Sequence, residues 1–260
     1  MRPKWIGTGW KMNFLLAEAG AYLSVLREYF KSNSENSVTI FLVPPFTVLR
    51  NVCELAEELP ILVGAQNMHW QDKGAYTGEI SPAMIKDCGV DLVELGHSER
   101  RSMFGETDFT VNKKVHAALA YGLKPLVCVG ESASEKNFGA SLESVLRQVK
   151  IALHGVSKEQ MGEVIIAYEP VWAIGEGSTP AEPGYANFIH AAIRKSLAEM
   201  CGQATAERVP VLYGGSVNLE NARKLILEME IDGLFVGRTA WKAEGLIELI
   251  EIGATALRIK

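Results

Sequence analysis

Eight short β-rich runs alternate with longer amphipathic runs along this chain of 260 residues, and nothing else narrows its fold so far. The strand-like runs fall at 5–9, 38–43, 61–65, 92–95, 125–129, 164–168, 209–213 and 233–236. Helical periodicity covers 15–30, 48–58, 112–121, 142–153, 185–200, 222–229 and 242–257. Gly122 and Gly202 stand just past two of these stretches, where helices commonly end in a left-handed residue. Strict β-then-α order requires parallel strands joined by right-handed crossovers. Eight units without a linker or low-complexity segment predict one α/β domain over 1–260, a closed parallel (β/α)8 barrel, rather than an open doubly wound sheet. No G-x-G-x-x-G opens a helix after a strand, which weakens the dinucleotide-binding form of that open sheet.

Composition bounds the partners. A hydrophobic content of 48% supports a sizeable core, and a net charge of −5 offers no general attraction for nucleic acid or an anionic membrane. Any anion site must therefore be built locally. The first residues, Met1-Arg2-Pro3-Lys4-Trp5-Ile6, contain no apolar run of signal or membrane-spanning length. Cys53, Cys88, Cys128 and Cys201 show no CxxC spacing, so buried reduced thiols and a cytoplasmic location are expected. With no metal-ligand spacing and no cofactor motif, neither a metal nor a cofactor is expected.

The sixth run, Val164-Ile165-Ile166-Ala167-Tyr168, has the unbroken apolar character of a strand buried on both faces. It ends in Glu169, followed by Pro170, which cannot donate to a sheet ladder. Beyond lie Trp172, Ala173 and Ile174, then Gly175 and Gly177, the composition of a lid with permissive points at one end. The other out-of-place polar residues fall similarly. Lys11 follows the first strand, His97 and Glu99 the fourth, Gly214-Gly215-Ser216 the seventh and Gly237 the eighth. All stand at C-terminal strand ends, which in a barrel form the catalytic face, with phosphate commonly bound after strands seven and eight. Glycine there could serve only a tight turn with φ > 0, but on adjacent loops it also leaves backbone N–H groups open to an anion.

A carboxylate, an imidazole, an ammonium and a phosphate cradle beneath a lid suit proton transfer beside a carbonyl. The carboxylate moves a proton between adjacent carbons, the imidazole polarises the oxygens, and the ammonium stabilises the charge that develops. The lid keeps water from an enediolate that would otherwise eliminate its phosphate. A Schiff base on Lys11 and a non-catalytic phosphate sensor are the rivals; neither gives Glu169 and His97 a joint role. One connection stands apart. Residues 66–82 form a long stretch carrying Met68, Trp70 and Tyr76, which suggests burial against a second subunit.

These residues resemble the triosephosphate isomerase family. The resemblance rests on Trp10-Lys11-Met12-Asn13, Ala65-Gln66-Asn67, Tyr76-Thr77-Gly78-Glu79-Ile80-Ser81-Pro82, Gly96-His97-Ser98-Glu99-Arg100-Arg101, Tyr168-Glu169-Pro170-Val171-Trp172-Ala173-Ile174-Gly175 and Tyr213-Gly214-Gly215-Ser216-Val217. It implies a carboxylate base beside a neutral histidine, the mechanism for which that family is itself the standard example. Glu169 is then the base, His97 the electrophile, Lys11 the electrostatic stabiliser and Glu99 its supporting acid. Gly175, Ser216 and Gly237 would donate backbone N–H groups to phosphate, and the N-terminus of the following helix would keep His97 neutral. The resemblance also implies a homodimer whose loop 66–82 reaches the partner's site.

The departures concern the substrate. Gly9 stands where that family has asparagine, Glu176 and Ser178 alter the lid, and Arg238 replaces a second glycine, where φ > 0 would strain it. With Gln66-Asn67-Met68-His69-Trp70 and Gly237-Arg238-Thr239-Ala240-Trp241, these resemble a divergent branch, the L-erythrulose-1-phosphate isomerases of erythritol and threitol breakdown. That branch converts L-erythrulose 1-phosphate to D-erythrulose 4-phosphate; the alternative is the three-carbon reaction of dihydroxyacetone phosphate. Gly9 would leave room for the additional hydroxymethyl group.

Overall fold

Each strand run pairs with the next in sequence, and the last pairs with the first. The computed structural model describes residues 2–33, 37–175, 177 and 179–259. Its strands are β1 (Lys4–Gly9), β2 (Val38–Val43), β3 (Ile61–Ala65), β4 (Leu92–Leu95), β5 (Lys124–Val129), β6 (Ile165–Tyr168), β7 (Val211–Tyr213) and β8 (Gly233–Val236). They form a closed barrel in the order β1 to β8, all parallel. Trp5 opposite Gly233 and Thr8 opposite Val236 close the ring.

Strand alternation divides the core in two. Phe41, Leu92, Leu126, Cys128, Ile165, Ala167, Leu212 and Phe235 fill the barrel's interior, while Ile6, Ile40, Val93, Leu95 and Ile166 face the helices. Two aromatic rings set the glycines of β1. A Cβ on Gly7 would lie 2.1 Å from the Phe41 ring, so only glycine lets that ring cross the interior. Phe235 follows at 5.4 Å between ring centroids and comes up under Gly9.

Several boundaries differ from expectation for local reasons. β7 begins at Val211 rather than 209, because Pro210 has no N–H and contributes only its carbonyl, to Ile166. The helix expected over 112–121 runs Asp108–Ala120, started a turn earlier by Thr107, whose side chain accepts from the Thr110 N–H. Gly122 (φ 65°) and Gly202 (φ 89°) end helices as expected. Cys128 and Cys201 are buried, but Cys53 and Cys88 are only half-buried; all four are free thiols.

Loop 66–82 does not project as a whole. Met68 is buried in the chain's own core, and Asn67 accepts from Lys114, which also binds Glu106. His69 stacks on Trp70 and Tyr76 at 4.1 and 4.4 Å between centroids. The loop's root thus belongs to its own barrel, correcting the expectation for Met68, and Tyr76 remains 44% exposed. At the opposite, N-terminal end of the barrel, Arg194 pairs with Asp232, which also accepts from Arg2 and the Val211 N–H. Among the described residues no helix is long and apolar enough to cross a membrane.

Candidate active site

Lys11 leaves β1 with φ 53°, one of two non-glycine residues in the left-handed region among those described. A long side chain there costs on the order of 1–3 kcal/mol, so something must hold it. Gln66, just past β3, donates its side-chain amide to the Lys11 carbonyl at 2.8 Å and to the Val43 carbonyl at 3.1 Å. The Lys11 ammonium then reaches Glu99 Oε1 at 2.6 Å. Glu99 lies in the first turn of the helix Ser98–Met103, for which His97 is the N-cap. The Glu99 backbone N–H donates to His97 Nδ1 at 3.1 Å, so that nitrogen is an acceptor and carries no proton in this arrangement. Nε2 therefore faces the centre of the site as an N–H donor. Burial lowers the His97 pKa, but Glu169 and Glu94 raise it, and the net direction is upward. Neutrality thus rests on the Glu99 N–H bond, and the carboxylates oppose it.

Glu169 ends β6 on the inner face, in step with Ile165 and Ala167. It is 4% exposed, and its Oε2 has no hydrogen-bond partner among the described residues. His97 Nε2 stands 3.7 Å from that oxygen, too far for a hydrogen bond. Burial pushes the Glu169 carboxyl above its ordinary range, against His97 and Lys11, which draw it down. Gly214 makes the position possible, since a Cβ there would lie 2.7 Å from Glu169 Cγ. Gly215 likewise clears the Tyr213 hydroxyl, at 2.2 Å. Neither glycine has positive φ, so the pair is required by close approach rather than by a left-handed turn.

Beneath the base lie two further interior groups. Glu94, from β4, and Cys128, from β5, place their side-chain ligand atoms within 4.8 Å of one another and of a Glu169 oxygen. Burial raises the Glu94 carboxyl to about 7 and holds the Cys128 thiol well above its ordinary range. The thiol therefore offers a proton rather than a thiolate, an unfavourable donor set for a cation.

The lid is docked. Trp172 Nε1 donates to Glu131 Oε1 at 2.8 Å, and the Lys136 ammonium lies 3.1 Å from the Trp172 ring centroid. Glu131 is fully buried and also accepts from the Tyr168 and Tyr185 hydroxyls. Ala173 is buried, and its carbonyl accepts the Ser216 N–H at 2.9 Å. The Ser216 N–H, expected to serve phosphate, is directed to the lid in this arrangement. The Ala181 N–H donates to Tyr213 Oη at 3.3 Å. Arg238 Nη2 donates to the Gly175 carbonyl at 2.9 Å. Arg238 opens a 3-10 turn, Arg238–Trp241, and is not among the positive-φ residues, so the expected strain is absent. Gly175 and Gly237 both face open space where a Cβ would stand. Ile174 follows Ala173 with extended backbone, and Glu176 and Ser178 lie outside the described residues.

The triosephosphate isomerase family model matches residues 4–253. The chain belongs to the triosephosphate isomerase family. Within it, the chain is 47% identical to the L-erythrulose-1-phosphate isomerase of Rhizobium rhizogenes (strain K84), over 98% of this chain and 96% of that protein. It is 47% identical to the one of Brucella abortus biovar 1, over 99% of both chains. With that of Rhizobium etli it shares 49% over 95% of this chain and 91% of the relative.

For this member of the family, the structure brings Lys11, His97, Glu99 and Glu169 to one end of the barrel as the sequence suggested. Gly9 is less open than expected. A Cβ there would stand 3.1 Å from the Phe235 ring, and the Gly9 carbonyl accepts from Trp241 Nε1 at 2.9 Å. Sequence reasoning missed Glu94, Glu131 and Phe235. Glu94 left a signal, a lone acid at the inward-facing step of Leu92-Val93-Glu94-Leu95, a strand otherwise wholly apolar.

Proposed function

We propose that this chain is a cofactor-free isomerase that interconverts L-erythrulose 1-phosphate and D-erythrulose 4-phosphate. The observation that carries the chemistry is the buried, unpartnered Oε2 of Glu169, 3.7 Å from His97 Nε2 beneath a docked lid. Near-full-length identity to proteins named for the first of these ketoses supports the substrate. Glu169 removes the proton from C3, and the C–H electron pair forms a C2–C3 double bond as the C2 carbonyl oxygen takes up charge. His97 donates to that oxygen and moves the proton between the two oxygens, while Lys11 offsets the developing negative charge. Glu169 then returns its proton to C2. Glu99 fixes both Lys11 and the acceptor state of His97 Nδ1. Gly175 and Gly237 offer the open backbone for the phosphate, with Arg238 beside them.

The working enzyme is a homodimer in this reading. Met12 (95% exposed), Leu15, Leu16, Tyr76 and Phe104 follow β1, β3 and β4 and leave a substantial apolar area beside the site. Phosphorylated ketose substrates and free thiols support a cytoplasmic location in this reading, with a role in erythritol breakdown. The test is kcat/KM for L-erythrulose 1-phosphate and for dihydroxyacetone phosphate on one preparation. A preference for the four-carbon ketose supports the proposal. A preference for the three-carbon substrate makes the chain a triose-phosphate isomerase and removes it.

A further inference from the structure

Glu94 is a buried carboxyl that the mechanism above does not use. It shares the inner face of β4 with Leu92, is 6% exposed, and sits where the barrel otherwise carries apolar side chains. A carboxyl so placed needs strong partners, because an unsatisfied buried polar group is costly. Among the described residues its one hydrogen bond comes from the Cys128 thiol at 3.8 Å, a weak donor. His97, Glu169, Lys11 and Glu99 act on it electrostatically, and among the described residues none of them hydrogen-bonds to it. Most of its hydrogen-bonding capacity is therefore unspent, with one of its oxygens within 4.8 Å of an oxygen of the base.

We propose that Glu94 is the specificity residue that binds the hydroxymethyl group carried by the reacting carbon of a four-carbon ketose phosphate. This rests on the reading of the substrate given above. A carbon poised for deprotonation lies about 3–3.5 Å from the base oxygen. On a tetrulose phosphate that carbon bears the hydroxymethyl group, whose oxygen is two single bonds further, roughly 2.4 Å. With one oxygen of Glu94 no more than 4.8 Å from an oxygen of Glu169, this hydroxyl comes within hydrogen-bonding reach of Glu94 when it turns toward the barrel interior. A carboxyl that stays partly protonated near neutrality can accept from the hydroxyl or donate to it. A three-carbon substrate has hydrogen at that position and leaves Glu94 facing nothing.

The distinction bears on selectivity. Space alone, as at Gly9, discriminates by roughly 10–200-fold, whereas a buried group built to bond a hydroxyl rejects the analogue lacking it by on the order of 10⁴-fold. Phe235 already takes part of the space at Gly9, so the polar contact carries the larger share.

The test measures kcat/KM against pH on L-erythrulose 1-phosphate and dihydroxyacetone phosphate for the parent, Glu94→Gln and Glu94→Leu. Glu94→Leu should lower the ratio of four-carbon to three-carbon kcat/KM by on the order of 10³- to 10⁴-fold, and Glu94→Gln, which keeps hydrogen-bonding atoms, by much less. A ratio needs only a folded fraction, so partial misfolding cancels. A parallel fall on both substrates, or a moved acid limb at constant ratio, would overturn the proposal and leave Glu94 as a group that only tunes Glu169. A parent that prefers dihydroxyacetone phosphate would instead remove the substrate reading on which the proposal stands.

Discussion

Gly214→Ala would add one methyl group against the base. Its Cβ would stand 2.7 Å from Glu169 Cγ and 3.0 Å from Oε1, whereas ordinary contact begins at 3.4 Å. The backbone at 214 is not left-handed, so alanine fits locally, and the clash falls entirely on Glu169. The main-chain bond from the Gly214 N–H to the Tyr168 carbonyl, 2.8 Å, fixes one side of the contact, so the carboxylate must give way. A retreat of at least about 0.7 Å approaches the 1 Å misplacement that costs on the order of 100-fold in rate. The expected loss in kcat is therefore about 10- to 100-fold, or about 1.4–2.7 kcal/mol of barrier, with KM little changed. Gly20→Ala is the control. It lies in the helix Leu16–Ser32 with nothing within 4 Å of the added carbon, and should stabilise the chain by about 0.5–1 kcal/mol without touching kcat. Steady-state assays and thermal melts of both variants suffice. A Gly214→Ala enzyme with kcat within about twofold of the parent would show that the rate does not depend on where Glu169 now sits.

Arg238→Met removes the bond to the Gly175 carbonyl and should loosen the lid, raising inorganic phosphate released per turnover as the enediolate meets water. A product-to-phosphate ratio equal to the parent's would rule out a lid-holding role. The Glu94 carboxyl, raised by burial to about 7 from 4.5, keeps in the folded state a proton that the unfolded chain loses. Its stabilising contribution is complete below 4.5 and disappears as pH rises through about 7. Glu94→Gln should therefore melt increasingly above the parent as pH rises from about 5 to 8, and a pH-independent difference would contradict the assignment. Asp232→Ala, which leaves Arg194 with Glu230 as its carboxylate partner and takes the acceptor from Arg2 and the Val211 N–H, should cost about 1–3 kcal/mol in urea unfolding while kcat per folded molecule holds. A fall in kcat would link the two ends of the barrel.

Much of this was legible because the barrel repeats one instruction eight times. The apolar runs before Lys11, His97 and Glu169 marked strand ends, and parallel strands that all point one way gather those ends on one face. What sequence could not show was contact between side chains distant along the chain. Gly214 and Gly215 read as turn residues because their neighbours Glu169 and Tyr213 become visible only in three dimensions. Gly9 read as empty space because Phe235, on the strand closing the ring, lies 226 positions away. Met68 read as an interface residue because a loop's outline does not reveal which of its side chains turns inward. Glu94 was passed over inside a motif whose attention went to His97.

The seam between β1 and β8 joins the two extremes of the chain at the active end of the barrel. Trp241 bonds the Gly9 carbonyl and Tyr22 bonds the Ala240 carbonyl, so the loop bearing Lys11 and the loop bearing Gly237 brace each other. Such long-range closure is slow to reach, because loop entropy is lost before the contacts repay it. During synthesis the first strand waits for its closing neighbour until the other seven strands have been made. Until the turn after β8 is in place, the Lys11 loop lacks the brace that Trp241 supplies.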